Sequence, residues 1–362
     1  MNKQSLGQFY TTNYAYILQN MCIPEGISAI VEPFAGNGDL LKFIKDEDKH
    51  KYTVRCYDIE PKQDYIIRRD TLLEPPNLDD AFVITNPPYL ARNKSEHKAV
   101  FDIYKTNDLY KCFLQILIGS QCVGGILIVP LNFLCSIRKG DIDIRERFVN
   151  KYDIIICNIF EEQVFDDTSY SICSFQFRAK RMADAAAADA VATAATTECH
   201  IYPSKKQIGF VLSPENNYTI GGEIYNLQKN PKYKIDRATR LLSNTEDFTN
   251  ILVKCIDDNI HSKIGLSIVD EPTKERYIDR TPNLTARSYA VLVIEPKITL
   301  EEQRVLVNQF NTFMTEGRDK YNSLFLTNYR ESNTIARKRI SFGLVYDICG
   351  YLLLPLPLRT RT

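Results

Sequence analysis

Between residues 27 and 178 the chain repeats one pattern, in which a short apolar run leads through a turn into a segment with helical spacing. "ISAIVEPF" (27–34), "TVRCYDIE" (53–60), "YIIRRDTL" (65–72) and "AFVITN" (81–86) read as strands. "DLLKFIKD" (39–46) begins a helix after a glycine-rich turn, and "DLYKCFLQILIGSQC" (108–122) has helical periodicity. Gly124-Gly125 then turns the chain into the strand "ILIVP", and "RERFVNKY" reads as a helix ahead of two closely spaced strands, "DIIICNIF" and "SICSFQFR". Strands separated by helical crossovers pair in parallel, whereas the last two can close as an antiparallel edge pair. The pattern predicts an α/β fold, a doubly wound and mostly parallel seven-stranded sheet.

Composition changes abruptly at "MADAAAADAVATAATTE" (182–198), which is rich in alanine but has no amphipathic stripe. We read 182–199 as a linker between a first domain, 1–181, and a second, 200–362. The 45 basic and 45 acidic residues cancel overall, but from His200 onward 23 basic face 18 acidic residues, a balance of +5. A mildly basic second half is compatible with a polyanionic partner. The ten cysteines are scattered, none forms a Cys-x-x-Cys pair, and the four histidines are isolated, so no metal site is expected. Reduced thiols in a cytoplasmic setting are expected instead. "MNKQSLGQFYTTNYAY" lacks the apolar core of a signal peptide, and no apolar run approaches the roughly 20 residues of a membrane span.

In a doubly wound sheet, ligands bind at the carboxyl ends of the parallel strands. The first strand ends in Glu32-Pro33-Phe34-Ala35-Gly36-Asn37-Gly38, whose glycines permit a tight turn and a close approach of backbone N–H groups. A third glycine of the dinucleotide fingerprint would fall at Leu41 and is absent, which argues against NAD. Asp58 ends the second strand, where a carboxylate can take hydrogen bonds from a ribose, and Asp70 ends the third, placed to accept from an adenine amine. Together these describe a nucleoside pocket without a pyrophosphate clamp.

The fourth strand ends in Asn86-Pro87-Pro88-Tyr89. Consecutive prolines fix the backbone and offer no N–H, so their carbonyls can face a cavity, while Asn86 supplies an amide oxygen. Two such acceptors on one exocyclic amine would aim its lone pair at an electrophile, and the sulfonium methyl of S-adenosylmethionine in the adjoining pocket would be that electrophile. Tyr89 could stack on the base. A base in a duplex must be flipped out and gripped on both faces. Phe165, in "EEQVFDDTSYS", is the candidate for the opposite face.

These residues, in this order, resemble the adenine-N6 DNA methyltransferases of type II restriction–modification systems. The order is that of the gamma class, with cofactor motifs first, the Asn-Pro-Pro-Tyr motif next and a target-recognition domain last. "LGQFYTT" (6–12), "VEPFAGNG", "YDIEP", "RRDTL", "TNPPY", "NDLYKCFL", "ILIVPLNFL" and "VFDDTSYS" carry the likeness, over about residues 6–178. It implies a Rossmann-like, S-adenosylmethionine-dependent catalytic domain followed by a recognition domain. It assigns Phe9, Thr11, Glu32, Phe34, Gly36, Gly38, Asp58, Ile59, Asp70, Thr71 and Asn86 to the cofactor, and Asn86, Pro87, Pro88, Tyr89 and Phe165 to catalysis. The implied product is S-adenosylhomocysteine, with no metal. The implied partner is double-stranded DNA, alongside a separate cognate endonuclease, for a cytoplasmic monomer encoded by a bacterium or a large DNA virus. Candidate DNA contacts are Arg92, Lys94 and Lys105 in one loop and Arg330, Arg337, Lys338 and Arg339 near the end of the chain.

Other readings compete. Cytosine's exocyclic amine could use the same geometry, and Asn-Pro-Pro-Tyr also occurs in protein-glutamine and RNA methyltransferases. Methylation at cytosine carbon 5 needs a Pro-Cys nucleophile, and the chain contains no Pro-Cys dipeptide. Asp279, Glu295 and Lys297 loosely fit the pattern of metal-dependent restriction nucleases. An inactive DNA-binding subunit is the remaining alternative.

Overall fold

A computed structural model describes residues 11–165, 171–180, 196–238, 248–259, 261–278, 288–331 and 335–355, with the backbone alone over 328–331 and 335–337. Phe9 and Asp279 lie outside the described residues. The chain divides into two compact units, Met1–Ser213 and Pro214–Thr362.

The first unit is a mixed α/β fold around one large sheet. Its strands are β1 (Ala29–Glu32), β2 (Thr53–Asp58), β3 (Ile67–Arg68), β4 (Phe82–Thr85), β5 (Gly124–Pro130), β6 (Tyr152–Phe160), β7 (Ile172–Ala179), β8 (Thr197–Tyr202) and β9 (Lys206–Phe210). Their order is β3-β2-β1-β4-β5-β7-β6-β8-β9. β1 pairs in parallel with both β2 and β4, so the strand order reverses there and leaves a crevice at the carboxyl ends. β7 runs antiparallel between β5 and β6. Every residue of β4 and β5 is buried, which explains their unbroken apolar sequences.

The sheet has nine strands where seven were expected, and the expected boundary at 199/200 falls inside β8. β8 pairs in parallel with β6, from Ile156 opposite Glu198 to Phe160 opposite Tyr202, and covers an edge that would otherwise stay open. Gly124 and Gly125 are the first residues of β5 rather than a turn. A Cβ there would meet Phe177 O at 2.6 Å and Val83 O at 2.2 Å, so only glycine fits between the neighbouring strands. The helix expected from residue 39 is instead two 3-10 segments, Asp39–Phe43 and Asp46–Lys51. The two longest helices of this unit are α1 (Leu109–Gly119), which buries Phe113, Leu114 and Leu117, and α2 (Lys139–Lys151), which buries Ile144 and Phe148. All ten cysteines are free thiols, and nine of them are buried.

The second unit holds an antiparallel sheet of β10 (Lys234–Arg237), β11 (Phe248–Lys254), β12 (Gly265–Ile268) and β13 (Tyr289–Glu295), in the order β10-β13-β11-β12. Its long helix α3 (Leu300–Tyr321) starts at a capping box: Glu302 N donates to Thr299 Oγ1 at 3.3 Å, and Thr299 N donates to Glu302 Oε2 at 2.6 Å. Leu306, Phe310 and Met314 recur every fourth residue and pack into a core with Ile251, Val253, Leu292 and Ile294. The unit also holds a hairpin of β14 (Thr327–Glu331) and β15 (Ile335–Arg339) and the helix α4 (Phe342–Leu352). Among the described residues no helix is long and apolar enough to cross a membrane.

Candidate active site

The carboxyl ends of β1, β2 and β4 converge on a cavity of about 360 Å³. Phe34, Ala35 and Gly36 line it after β1, Asp58 and Ile59 at the end of β2, and Arg69 to Leu73 after β3. Asn86 and Pro88 line it after β4, together with Thr11. Of the residues expected to bind the cofactor, Thr11, Phe34, Gly36, Asp58, Ile59, Asp70 and Thr71 line the same space as Asn86 and Pro88, whereas Glu32 and Gly38 do not line it.

Gly36 and Gly38 take positive φ values of +54° and +81°, as the tight turn requires. Gly38 N donates to Ala35 O at 2.6 Å, which closes the turn. Asp58 fixes it from below: its Oδ2 accepts from Gly36 N and its Oδ1 from Glu60 N, each at 2.8 Å. Each oxygen keeps a second lone pair for a ligand hydroxyl. Ile59 stays 39% exposed, an apolar surface beside a carboxylate, as a nucleoside site needs. Asp70 Oδ1 accepts from the backbone of Leu72 and Leu73, and Thr71 Oγ1 donates to Pro33 O at 2.7 Å, tying this loop to the glycine turn.

Glu32 is wholly buried beneath the turn. The Thr85 hydroxyl lies beside it. Burial pushes the Glu32 carboxyl well above the usual range, Thr85 pulls it back, and the Asp58 charge adds to the rise. Asp39, Asp58 and Asp70 line the cavity, Asp39 paired with Lys42 at 2.7 Å and Arg69 the one cation in the lining, so carboxylates outnumber cations there. That suits a ligand carrying positive charge and disfavours an anionic pyrophosphate.

Asn86 is 8% exposed. Its Nδ2 donates to Thr11 Oγ1 at 3.1 Å, and its Oδ1 accepts from the Tyr89 hydroxyl, which also lies 2.8 Å from Ile128 O. Pro87 is buried and Pro88 faces the cavity. Tyr89 departs from expectation. It is 2% exposed, packs edge-on to Tyr110 at 6.2 Å, and does not present its ring face to the cavity. The Ile128 carbonyl on β5 draws the phenol inward. Phe165 departs too: it is 5% exposed and does not line the cavity, because an apolar ring just after β6 finds cover in the fold.

Sequence reasoning missed part of the lining. Ser95, His97, Ala99 and Val100, in the segment read only as a DNA contact and folded as a short helix from Ala99 to Tyr104, border the cavity, as does Leu109. This loop is held by Tyr104, whose hydroxyl donates to Leu72 O at 2.8 Å, and by the Arg92–Asp102 ion pair at 2.6 Å. Lys94 and Lys105 are exposed on it. Arg330, Arg337, Lys338 and Arg339 lie on the β14–β15 hairpin, where Lys338 Nζ donates to Ser323 O at 3.0 Å. Glu295 and Lys297 are exposed at the end of β13, and the described residues contain no cluster of three metal-ligating side chains.

The chain leaving Pro88 is pinned to the start of α1, where Leu109 N donates to Leu90 O at 3.2 Å and Arg92 N to Asn107 O at 2.9 Å. Between them, burial raises the Asp108 carboxyl from about 3.8 to about 6, opposed by Lys111. A raised carboxyl contributes stability at low pH that is lost as pH climbs from about 4 to about 6, here about 3 kcal/mol. Asp108→Asn removes that dependence. Urea unfolding should show the variant gaining about 2.4 kcal/mol on the native chain between pH 4 and pH 7; an equal difference at both pH values would refute this assignment.

No protein-family model matches the chain, and no curated protein does. Among solved structures it is similar to the methyltransferase subunit of a type I restriction–modification system from Streptococcus thermophilus, at 15% identity over 54% of this chain and 47% of that one, with a TM-score of 0.37. It is also similar to the M protein of the type I restriction enzyme EcoKI, at 16% identity over 50% and 46%, with a TM-score of 0.37. A DrdV–DNA complex matches at 14% identity over 70% and 35%, with a TM-score of 0.43. The chain spans less than half the length of each of these three.

Proposed function

We propose that the chain is a site-specific DNA methyltransferase that moves the methyl group of S-adenosylmethionine to the N6 amine of an adenine flipped out of duplex DNA. In a type II restriction–modification system of gamma-class order, this would protect the DNA from a cognate endonuclease. One observation carries the reading: Asp58, Ile59 and Asp70 share a single cavity with Asn86 and Pro88. Its volume of about 360 Å³ lies within the range of roughly 300–1,000 Å³ usual for small-ligand sites.

The residues present fit that cofactor. Asp58 would hold the ribose hydroxyls, Ile59 would lie against the adenine, and Asp70 would accept from the adenine amine. The acidic lining suits an ammonium and a sulfonium. Bound there, the cofactor supplies a methyl group activated by positive sulfur. Asn86 and the carbonyl beside it would hold both hydrogens of the target amine and turn its lone pair toward that methyl. Alignment, rather than a strong base, would do most of the work. Excluding water from a buried site strengthens each of these polar contacts.

Expression in a methylation-deficient bacterial host, followed by sequencing that detects modified bases, tests this directly. N6-methyladenine in one short sequence context is the expected result. DNA left unmodified by a folded, cofactor-binding protein would refute it. Methylated glutamine or RNA in the same cells would favour the alternatives that share this catalytic motif.

A further inference from the structure

We propose that the chain from Ala91 to Asp108 is a strap over the cofactor and that Tyr104 is its positioning residue, holding the strap and Asp70 together through Leu72. The inference rests on the methyl-transfer reading and deepens it, since that reading gives this end of the cavity to the adenine of S-adenosylmethionine.

The strap leaves the cavity wall after Leu90 and returns at Leu109. Its base is closed by Arg92 N donating to Asn107 O at 2.9 Å, by Leu109 N donating to Leu90 O at 3.2 Å, and by an antiparallel bridge between Ala91 and Asp108. An excursion whose ends meet in this way is a compact loop packed by its own side chains. Phe101, wholly buried, anchors it, and Arg92 is engaged with Asp102 inside it. Ser95 Oγ donates to His97 O at 2.8 Å, which sets the turn before the short helix Ala99–Tyr104. The strap lines the cavity with Ser95, His97, Ala99 and Val100, while Lys94 and Lys105 are not part of the lining. Ala99 and Val100 offer a purine ring an apolar wall; a phosphate would need cations there.

Val100 and Tyr104 stand four residues apart on the helix and so share a face. Val100 lines the cavity, and the Tyr104 hydroxyl donates to Leu72 O at 2.8 Å. Burial raises the pKa of this phenol above its ordinary value, and Cys112 and Asp70 add to the rise, so the hydroxyl keeps the proton it donates. Leu72 is thereby held on both sides: its carbonyl accepts from Tyr104, and its N–H donates to Asp70 Oδ1 at 3.0 Å. Among the described residues this is the one hydrogen bond between the strap and the Asp70 loop. One phenol therefore sets both the acceptor for the adenine amine and the wall beside the ring. Asp58 and Asn86 stand on their own strand ends and do not depend on it.

The test compares native protein, Tyr104→Phe and His97→Ala. Calorimetry measures the affinity for S-adenosylhomocysteine and for its inosine counterpart, alongside the KM for duplex DNA, the rate at saturating cofactor, and Tm. Tyr104→Phe should bind S-adenosylhomocysteine about tenfold more weakly, the scale of one lost hydrogen bond. Its preference over the inosine compound, which offers Asp70 no amine, should narrow as well. His97→Ala, which trims the same wall, should weaken binding about threefold. The KM for DNA, the saturated rate and Tm should stay near native in both. Unchanged cofactor affinity in either variant overturns the inference and leaves the methyltransferase reading intact. A raised KM for DNA with native cofactor affinity overturns it too, because the strap would then serve DNA. So does a lower Tm with equal losses for both nucleosides, since the hydroxyl would then be merely structural. If native protein binds no S-adenosylhomocysteine, the underlying reading fails, and this inference with it.

Discussion

Replacing Asn86 by alanine should slow methyl transfer about a thousandfold, the scale at which losing one transition-state hydrogen-bonding group is felt in other enzymes. The side chain ends β4 and is held between Thr11 and Tyr89, so its position is set before any substrate arrives. Preorganisation of this kind is what makes a single amide so effective, because no group has to move as the amine approaches. Truncation removes an acceptor at the centre of the cavity but leaves Asp58, Ile59 and Asp70 on their own strand ends. Affinity for S-adenosylmethionine by calorimetry should stay within about threefold of native, and thermal stability should fall little. Turnover near the native rate, with the variant folded, would remove Asn86 from catalysis.

Asp58→Ala should act on the opposite half of the cavity and weaken cofactor binding about a hundredfold, or about 2.7 kcal/mol. The carboxylate holds the glycine turn through Gly36 N and its own loop through Glu60 N. Hydrogen bonds to charged groups contribute about 1.5–3 kcal/mol each, so alanine loses both the anchor of the turn and an acceptor for the ligand. Asp58→Asn offers a graded test, because one of its two ends carries N–H₂ and cannot accept from a backbone N–H. It should lie between native and alanine. Unchanged affinity in both variants would place the ribose elsewhere.

Much of this site was legible because strand-end chemistry is local. The run "AFVITN" becomes a fully buried central strand, and its apolar sequence fixes where Asn86 emerges. Gly36 and Gly38 adopt the positive φ values that their spacing suggested. The features that escaped depend on distant partners. β8 joins the first sheet by pairing with β6 across the alanine-rich segment, and nothing in its own residues names that neighbour. Tyr89 turns inward because of a carbonyl 39 positions along the chain, so the motif gives the residue type but not its direction. The segment Ser95–Val100 is held at the cavity by Tyr104 against Leu72, a contact with no sequence signature.

The central claim is that one cavity aligns a sulfonium methyl with an adenine amine. It is tested most directly by offering purified protein S-adenosylmethionine with a labelled methyl group and, in parallel, duplex DNA, RNA and a glutamine-containing peptide. Digestion of each acceptor to its monomers, followed by mass spectrometry, locates the label. Label on N6 of deoxyadenosine alone is the expected result. Label on RNA or glutamine, or DNA left unlabelled by a protein that binds the cofactor, would contradict the account.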